Sequence, residues 1–465
     1  MLGGSWAESG NIYLNLTAEP KLWVVPSSGG TPQVAVEFPR EVNRMLWPQV
    51  LPEAKAVLYT AAGDRGGDAA SIEVVSLEDR KRRVLIRRGT FGRYIASGHL
   101  VYLNQGTLYA VALDLKRLEV LGSPVPVVTN VAYNPILGFG QYDFSKTGIF
   151  AYLRSASRGE VTAKWLDRSD EATPILAHPG PYFWPRLSPD GQTLALIRSD
   201  SDGSHLWYSN TADGKLSAAL PSASKTQLSP LWTPDGRFLL FSGENTVEWM
   251  ATDGSEKKGT LLRSEGIQIP WSFTSRGGLL LTFHQLDPAT HFDLWTVPLT
   301  ERNGELNAGV PQVMLKTPAI ETYPTFSPDG HWIAYTSNRS GNYEVYVRAF
   351  PEGHSDVQVS VGGGRCPRWR PDAKQIVYSS TDRQVMIVPF RMTRENFEIM
   401  GAPKPWSKVK LAEMSVFPAY DLAPDGRIVA LVPPDSSLHE KPNNVTFVMN
   451  SFEEIRSRVR AATHK

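Results

Sequence analysis

The chain has 465 residues, 41% of them hydrophobic, which is enough apolar material for a large core and excludes a disordered polypeptide. Its 48 basic and 47 acidic side chains leave a formal charge of +1, so no general field draws nucleic acid or a membrane surface. A single cysteine, Cys366, excludes an internal disulfide, and no run reaches the roughly 18 apolar residues of a membrane-spanning helix.

From the N-terminus, Met1-Leu2-Gly3-Gly4 lacks the basic and apolar segments of a signal peptide, so no export signal is expected and the chain reads as cytoplasmic as encoded. A short turn then recurs before apolar runs. Its copies are Ser9-Gly10, Leu51-Pro52-Glu53-Ala54, Ser97-Gly98, Ser145-Lys146-Thr147-Gly148, Ser188-Pro189-Asp190-Gly191 and Thr233-Pro234-Asp235-Gly236. Ser275-Arg276-Gly277, Ser327-Pro328-Asp329-Gly330, Arg370-Pro371-Asp372-Ala373 and Ala423-Pro424-Asp425-Gly426 continue the series. Proline presets φ, aspartate suits the next position, and glycine takes the left-handed conformation that closes a tight hairpin. About ten copies, spaced by roughly 41 to 53 residues, have the period of β-propeller blades, each a four-stranded sheet.

The fullest repeat predicts an inner strand over Tyr323–Ser327, a second over Trp332–Ser337, a third over Tyr343–Phe350 and an outer fourth over Val357–Val361. Second strands such as Leu194–Ile197, Phe238–Phe241 and Ile428–Leu431 lack polar alternation, as expected of strands covered on both faces. Third strands carry Trp23, Tyr109, Trp165, Trp207, Trp249, Trp295 and Tyr346 at matching positions. These rings could stack on sugars or bases, but their regular period assigns them to the space between blades. The predicted fold class is therefore all-β, a β-propeller of four-stranded blades. Ten blades exceed the roughly four to eight of one ring, so two modules are expected. Residues 1–178 form about four blades and residues 179–450 a six-bladed propeller, with a junction near Ala177–Pro181. The last repeat has no fourth strand after Val445–Met449, and a strand from elsewhere is expected to close its ring. Residues 451–465 are a short helix and tail. Ser451 to Glu454 has the form of a capping box, and Phe452, Ile455 and Val459 fall on one face that docks on a propeller surface.

Catalytic motifs are sparse. Gly3-Gly4-Ser5-Trp6-Ala7 misses the Gly-x-Ser-x-Gly of serine hydrolases, and Asp143-Phe144-Ser145 only imitates the Asp-Phe-Gly of kinases. His284 and His291 are the nearest histidine pair, without helical ligand spacing. Asp64 with Asp68, and Asp200-Ser201-Asp202-Gly203, resemble fragments of calcium loops but lack the later bidentate acid. The run Arg80-Lys81-Arg82-Arg83 with Arg87 and Arg88 could hold an anion, yet its place on an outermost strand favours edge protection. Gly362-Gly363-Gly364-Arg365 has no helix start after it to supply a dipole, and reads as an interblade loop that also holds Cys366 as an incidental thiol. No catalytic, cofactor-binding or metal residue is expected, and no ligand-binding residue is assigned.

The segment Tyr323–Pro351 resembles the TolB-like six-bladed propeller repeats that lie C-terminal to the kinase and membrane helix of bacterial serine/threonine protein kinases. Gly3-Gly4-Ser5-Trp6, Trp47–Pro52, Gly98–Val128 and the ending Val445–Ile455 are similar to the same group. The resemblance implies a sensor region, truncated or separately encoded, since two further blades usually precede the Gly-Gly-Ser-Trp segment in that group and kinase motifs are absent here. Similar propellers are often extracytoplasmic. The expected function is a non-catalytic scaffold that binds a protein, peptide or small ligand. A gating partner of a prolyl-oligopeptidase-type hydrolase and a Tol-type periplasmic scaffold are the alternatives.

Overall fold

The computed structural model describes residues 3–16, 21–38, 44–62, 70–134, 138–154, 160–167, 171–200, 203–218, 227–287, 289–351, 353, 356–414, 416–434 and 445–463. The side chains of Asp64, Asp68, Asp200 and Asp202 lie outside the described residues. Apart from the helix Ser451–Thr463 and one 3-10 turn at Pro52–Ala54, the described regular elements are strands.

The recurring turn owes its sequence to a small hydrogen-bond set. In Ser327-Pro328-Asp329-Gly330 the serine hydroxyl donates to Asp329 Oδ1 at 2.6 Å and accepts from the Trp332 amide at 3.0 Å. Asp329 also accepts from the His331 amide, and the Gly330 amide, at φ +68, closes on Ser327 O at 2.9 Å. Ser188 and Thr233 repeat the arrangement with Asp190 and Asp235. Turns without the hydroxyl, at Arg370–Ala373 and Ala423–Gly426, keep the aspartate bond and the closing bond at 2.9 Å, so the carboxylate and a residue at positive φ are the shared elements.

The chain divides into two compact units. The first comprises Met1–Gly159, Asp200–Gly203 and Pro434–Lys465, the second Glu160–Ser199 and Ser204–Pro433.

In the first unit, three four-stranded sheets run in chain order within 4–37, 44–87 and 90–128. Leu22, Val36, Met45 and Tyr59 fill the space between the first two, and Leu58, Val74, Leu100 and Val111 that between the next two. A fourth sheet joins Tyr142–Phe144 and Phe150–Leu153 to Val445–Val448, a strand from the far end of the chain. Ile455 and Val459 of the helix pack with Val101, Leu103, Ala110 and Phe150 beside it.

In the second unit, six sheets close into a ring, and every step around it is stitched by a hydrogen bond between inner strands. Arg186 Nε donates to Pro230 O, Ser229 Oγ to Pro270 O, and Ser272 Oγ to Pro324 O. Trp369 Nε1 donates to Thr325 O, the Tyr420 hydroxyl to Cys366 O, and the Leu187 amide to Asp421 Oδ2. The last sheet is made from both ends of the unit: Tyr420–Leu422 and Ile428–Val432 pair with Thr162–Leu166 and Ala172–Pro174. A ring closed in this way leaves the inner edge of each sheet short and covered by its neighbours.

The structure departs from the sequence-based expectations in three places. Val445–Val448 does not continue the last repeat but pairs with Phe150–Leu153, and the third strand of the last sheet is Thr162–Leu166 with Trp165. The second unit accordingly starts at Glu160, not near residue 179. Cys366 lies within the inner strand Gly364–Trp369, buried, not in the glycine loop. The capping box does not form, because the Ser451 hydroxyl donates to Gly148 O at 2.9 Å while Glu454 accepts from Arg458. Docking the helix start on the Ser145–Gly148 turn competes with local capping and wins.

Candidate functional site at the ring axis

A proline stands three residues before the turn in four inner strands of the ring, Pro185, Pro230, Pro324 and Pro367, while Pro270 and Pro418 stand five residues before theirs. Proline cannot donate to the ladder, so the strand bulges there. The preceding Trp184, Ser229, Tyr323 and Cys366 take positive φ, and the pairing register shifts across each of them. The bulge re-aims the residues that follow, and Arg186, Trp271 and Arg368 meet at the axis.

There Arg186 Nη1 and Arg368 Nε both donate to Asp421 Oδ1, at 3.3 and 3.2 Å, while the Leu187 amide holds Oδ2 at 2.9 Å. Arg186 Nε and Nη2 donate to Pro230 O and Trp271 O. Arg368 Nη1 donates to Pro367 O, and its Nη2 is buried without a hydrogen-bond partner among the described residues. Both guanidiniums lie near the Trp271 ring, 5.8 and 5.6 Å from its centroid. Two cations thus face one carboxylate. Burial, and then the charge of Arg368, pull Arg186 down to about 10. Above the cluster Trp184 packs on Phe417 at 4.6 Å and Trp271 edge-on to Tyr323 at 4.8 Å.

No nucleophile is activated at this site. Burial pushes the Cys366 thiol up to about 12 and raises the Tyr323 and Tyr420 hydroxyls. His284 is buried, accepts from Trp271 Nε1 at 2.9 Å on Nδ1, and is pulled down to about 3 by burial. It therefore stays neutral in the folded protein at pH values where the unfolded chain, near 6.5, takes up a proton. Between pH 6.5 and 3 the unfolded state binds the extra proton, so stability falls as pH falls. Relative to a His284→Gln variant, the wild type should lose roughly 2 kcal/mol between pH 7 and pH 5. Parallel urea-denaturation profiles for the two proteins would contradict that assignment.

The other sequence candidates are placed as follows. His284 and His291 sit on paired strands, with His291 exposed, and no group of three potential metal ligands occurs among the described residues. Gly362–Gly364 connects two sheets, and the Gly363 amide already donates to Glu344 Oε1 at 2.8 Å. Arg82 and Arg83 lie on the fourth strand of their sheet and pair with Glu73 and Glu119, each at 2.9 Å. All seven aromatic positions fall on third strands, Trp249 and Tyr346 being buried. Sequence reasoning missed Arg186, Arg368 and Asp421. The available signal was a charge straight after a proline in an apolar inner strand, as in Trp184-Pro185-Arg186-Leu187 and Cys366-Pro367-Arg368-Trp369.

No known family's sequence profile matches the chain. It is 30% identical over 177 residues, 35% of its length, to the uncharacterized peptidase YuxL of Bacillus subtilis (strain 168), of which the match spans 24%. Over 61 residues, 13% of the chain, it is 34% identical to the Tol-Pal system protein TolB of Desulfosudis oleivorans, and this match spans 14% of that protein. The chain thus spans a minor part of the length of both. A solved structure described as a TolB candidate from Agrobacterium tumefaciens superposes with a TM-score of 0.44 at 17% identity, covering 59% of this chain and 99% of that one.

Proposed function

We propose that the chain is a non-catalytic, TolB-like propeller scaffold that binds a protein or peptide partner, as in the sensor regions of receptor-like kinases. The closed six-sheet ring carries this reading: its axis is stitched by polar groups engaged with one another, and its thiol and buried imidazole are held in unreactive forms. Propellers present interstrand loops at the two ends of the axis, which is where a partner is expected. Selection from a displayed peptide library should yield saturable one-to-one binders of the purified chain, and failure to obtain any would sink the reading.

Purified chain should neither bind ATP stoichiometrically nor transfer phosphate, since the lysine, metal ligands and base of that chemistry have no candidates in the sequence. Phosphorylation that survives removal of contaminating kinases would contradict this. A second reading, a propeller that gates a peptidase, is favoured by the match to the Bacillus protein. It requires peptide cleavage by a catalytic partner and none by this chain alone, which a fluorogenic peptide assay on each component decides.

A further inference from the structure

We propose that a cavity in the first unit, between the C-terminal helix and the fourth sheet, binds a small free carboxylic acid that carries a short apolar group. The cavity measures about 290 Å³. Its floor is apolar: Phe150 and Ile455 each keep only 1% of their surface accessible, and Val127, Val128 and Val448 line the space beside them. Phe150 and Tyr152 stack at 4.8 Å, which makes that wall a rigid aromatic pair. Its mouth is charged. Arg458 is already engaged there, with Nη2 and Nε donating to Glu454 Oε1 at 2.7 and 3.2 Å and Nη1 to Pro126 O at 3.4 Å. Arg154 is not. It follows Phe150 and Tyr152 at the next alternate position, so the three fall on one side of the strand, and it is exposed, with no side-chain hydrogen bond or ion pair among the described residues. Glu454 and Arg458 offset each other, which leaves the charge of Arg154 at the mouth without a counterion in the lining. A ligand that satisfies both ends has an apolar body and one negative charge, and the planar edge of a guanidinium selects a carboxylate. The volume lies near the lower end of the roughly 300–1,000 Å³ of ligand pockets, which limits the body to a single ring or a short branched chain.

This site lies wholly in the first unit and does not rest on the scaffold reading, which concerns the ring. The probe is para-fluorophenylacetate, titrated into the full chain and followed by ¹⁹F NMR, with para-fluorophenylacetamide as its uncharged counterpart. Saturable one-to-one binding of the acid is expected, with the amide about tenfold weaker or more because it lacks the charge that meets Arg154. Acetate should displace the probe only at concentrations about tenfold above those of isovalerate or more, since it has no apolar group to cover the floor. Arg154→Gln should bring acid and amide to equal affinity, whereas Val448→Trp, which fills the cavity from the strand side, should abolish binding of both. If Val448→Trp does not fold, the acid and amide series on the wild type and on Arg154→Gln still decide. N-acetyl-glycyl-glycyl-leucine offers the same chemistry at a peptide end and should displace the probe more weakly than isovalerate. The proposal is overturned by the absence of saturable binding of the acid, by equal affinity of the wild type for acid and amide, by a preference for the acid that survives Arg154→Gln, or by stronger displacement with the peptide, which would assign the site to a chain terminus.

Discussion

Asp421→Ala is expected to destabilise the six-sheet ring by about 3–5 kcal/mol, read as a fall in the urea midpoint of its unfolding transition. The substitution removes the carboxylate that, among the described residues, pairs with both Arg186 and Arg368, and frees the Leu187 amide, which joins the first inner strand to the last. Two buried guanidiniums are then left against each other, and it is this uncompensated charge, more than the lost attraction, that sets the magnitude. Replacing all three residues together, as Arg186→Met, Arg368→Met and Asp421→Leu, should recover much of the loss, because apolar packing can substitute for a buried ion cluster. If Asp421→Ala shifts the midpoint by less than about 1 kcal/mol, the cluster is not what holds the axis.

Gly330→Val is expected to cost about 3 kcal/mol or more, from two separate sources. A β-branched residue is strained at φ +68, and its Cβ would lie 2.3 Å from Thr274 Oγ1 and 3.0 Å from Arg276 Cβ on the neighbouring sheet's turn. Gly254 separates the two contributions. It sits at φ +80 with nothing within 4 Å of an added Cβ, so Gly254→Val reports backbone strain alone. The difference between the two variants, roughly 1–3 kcal/mol, measures how closely adjacent turns pack around the ring end. Equal losses would mean that the turns do not touch in solution.

Much of this fold was legible because the repeat is written in residues with strong local preferences. Proline, aspartate and glycine at consecutive positions fix dihedrals and hydrogen bonds without help from the rest of the chain in four copies, and their spacing let the weaker copies and the matching aromatics be read. The strand exchange was not legible. Which strand covers Ile428–Val432 depends on closing a ring across more than 250 residues, and both Thr162–Leu166 and Val445–Val448 are apolar enough to serve. The axial cluster was hidden for the same reason, since Arg186 and Asp421 stand 235 positions apart. The capping box at Ser451 shows the reverse error: a local motif was present, and a tertiary contact with Gly148 claimed its hydroxyl.

The ring closure itself is tested most directly by cysteine crosslinking in a background lacking Cys366. Lys164 and Ala430 are direct partners in the last sheet, as are Ala151 and Phe447 in the fourth sheet of the first unit. The account predicts that the Lys164→Cys, Ala430→Cys pair oxidises readily in the folded protein and that Ala151→Cys, Phe447→Cys does the same, since paired strands place Cα atoms within roughly 4.4–6.8 Å. A protein in which Lys164→Cys and Ala430→Cys stay reduced, while Phe447→Cys links instead to a cysteine in the Ile428–Val432 strand, would contradict it and show that the last repeat closes on itself.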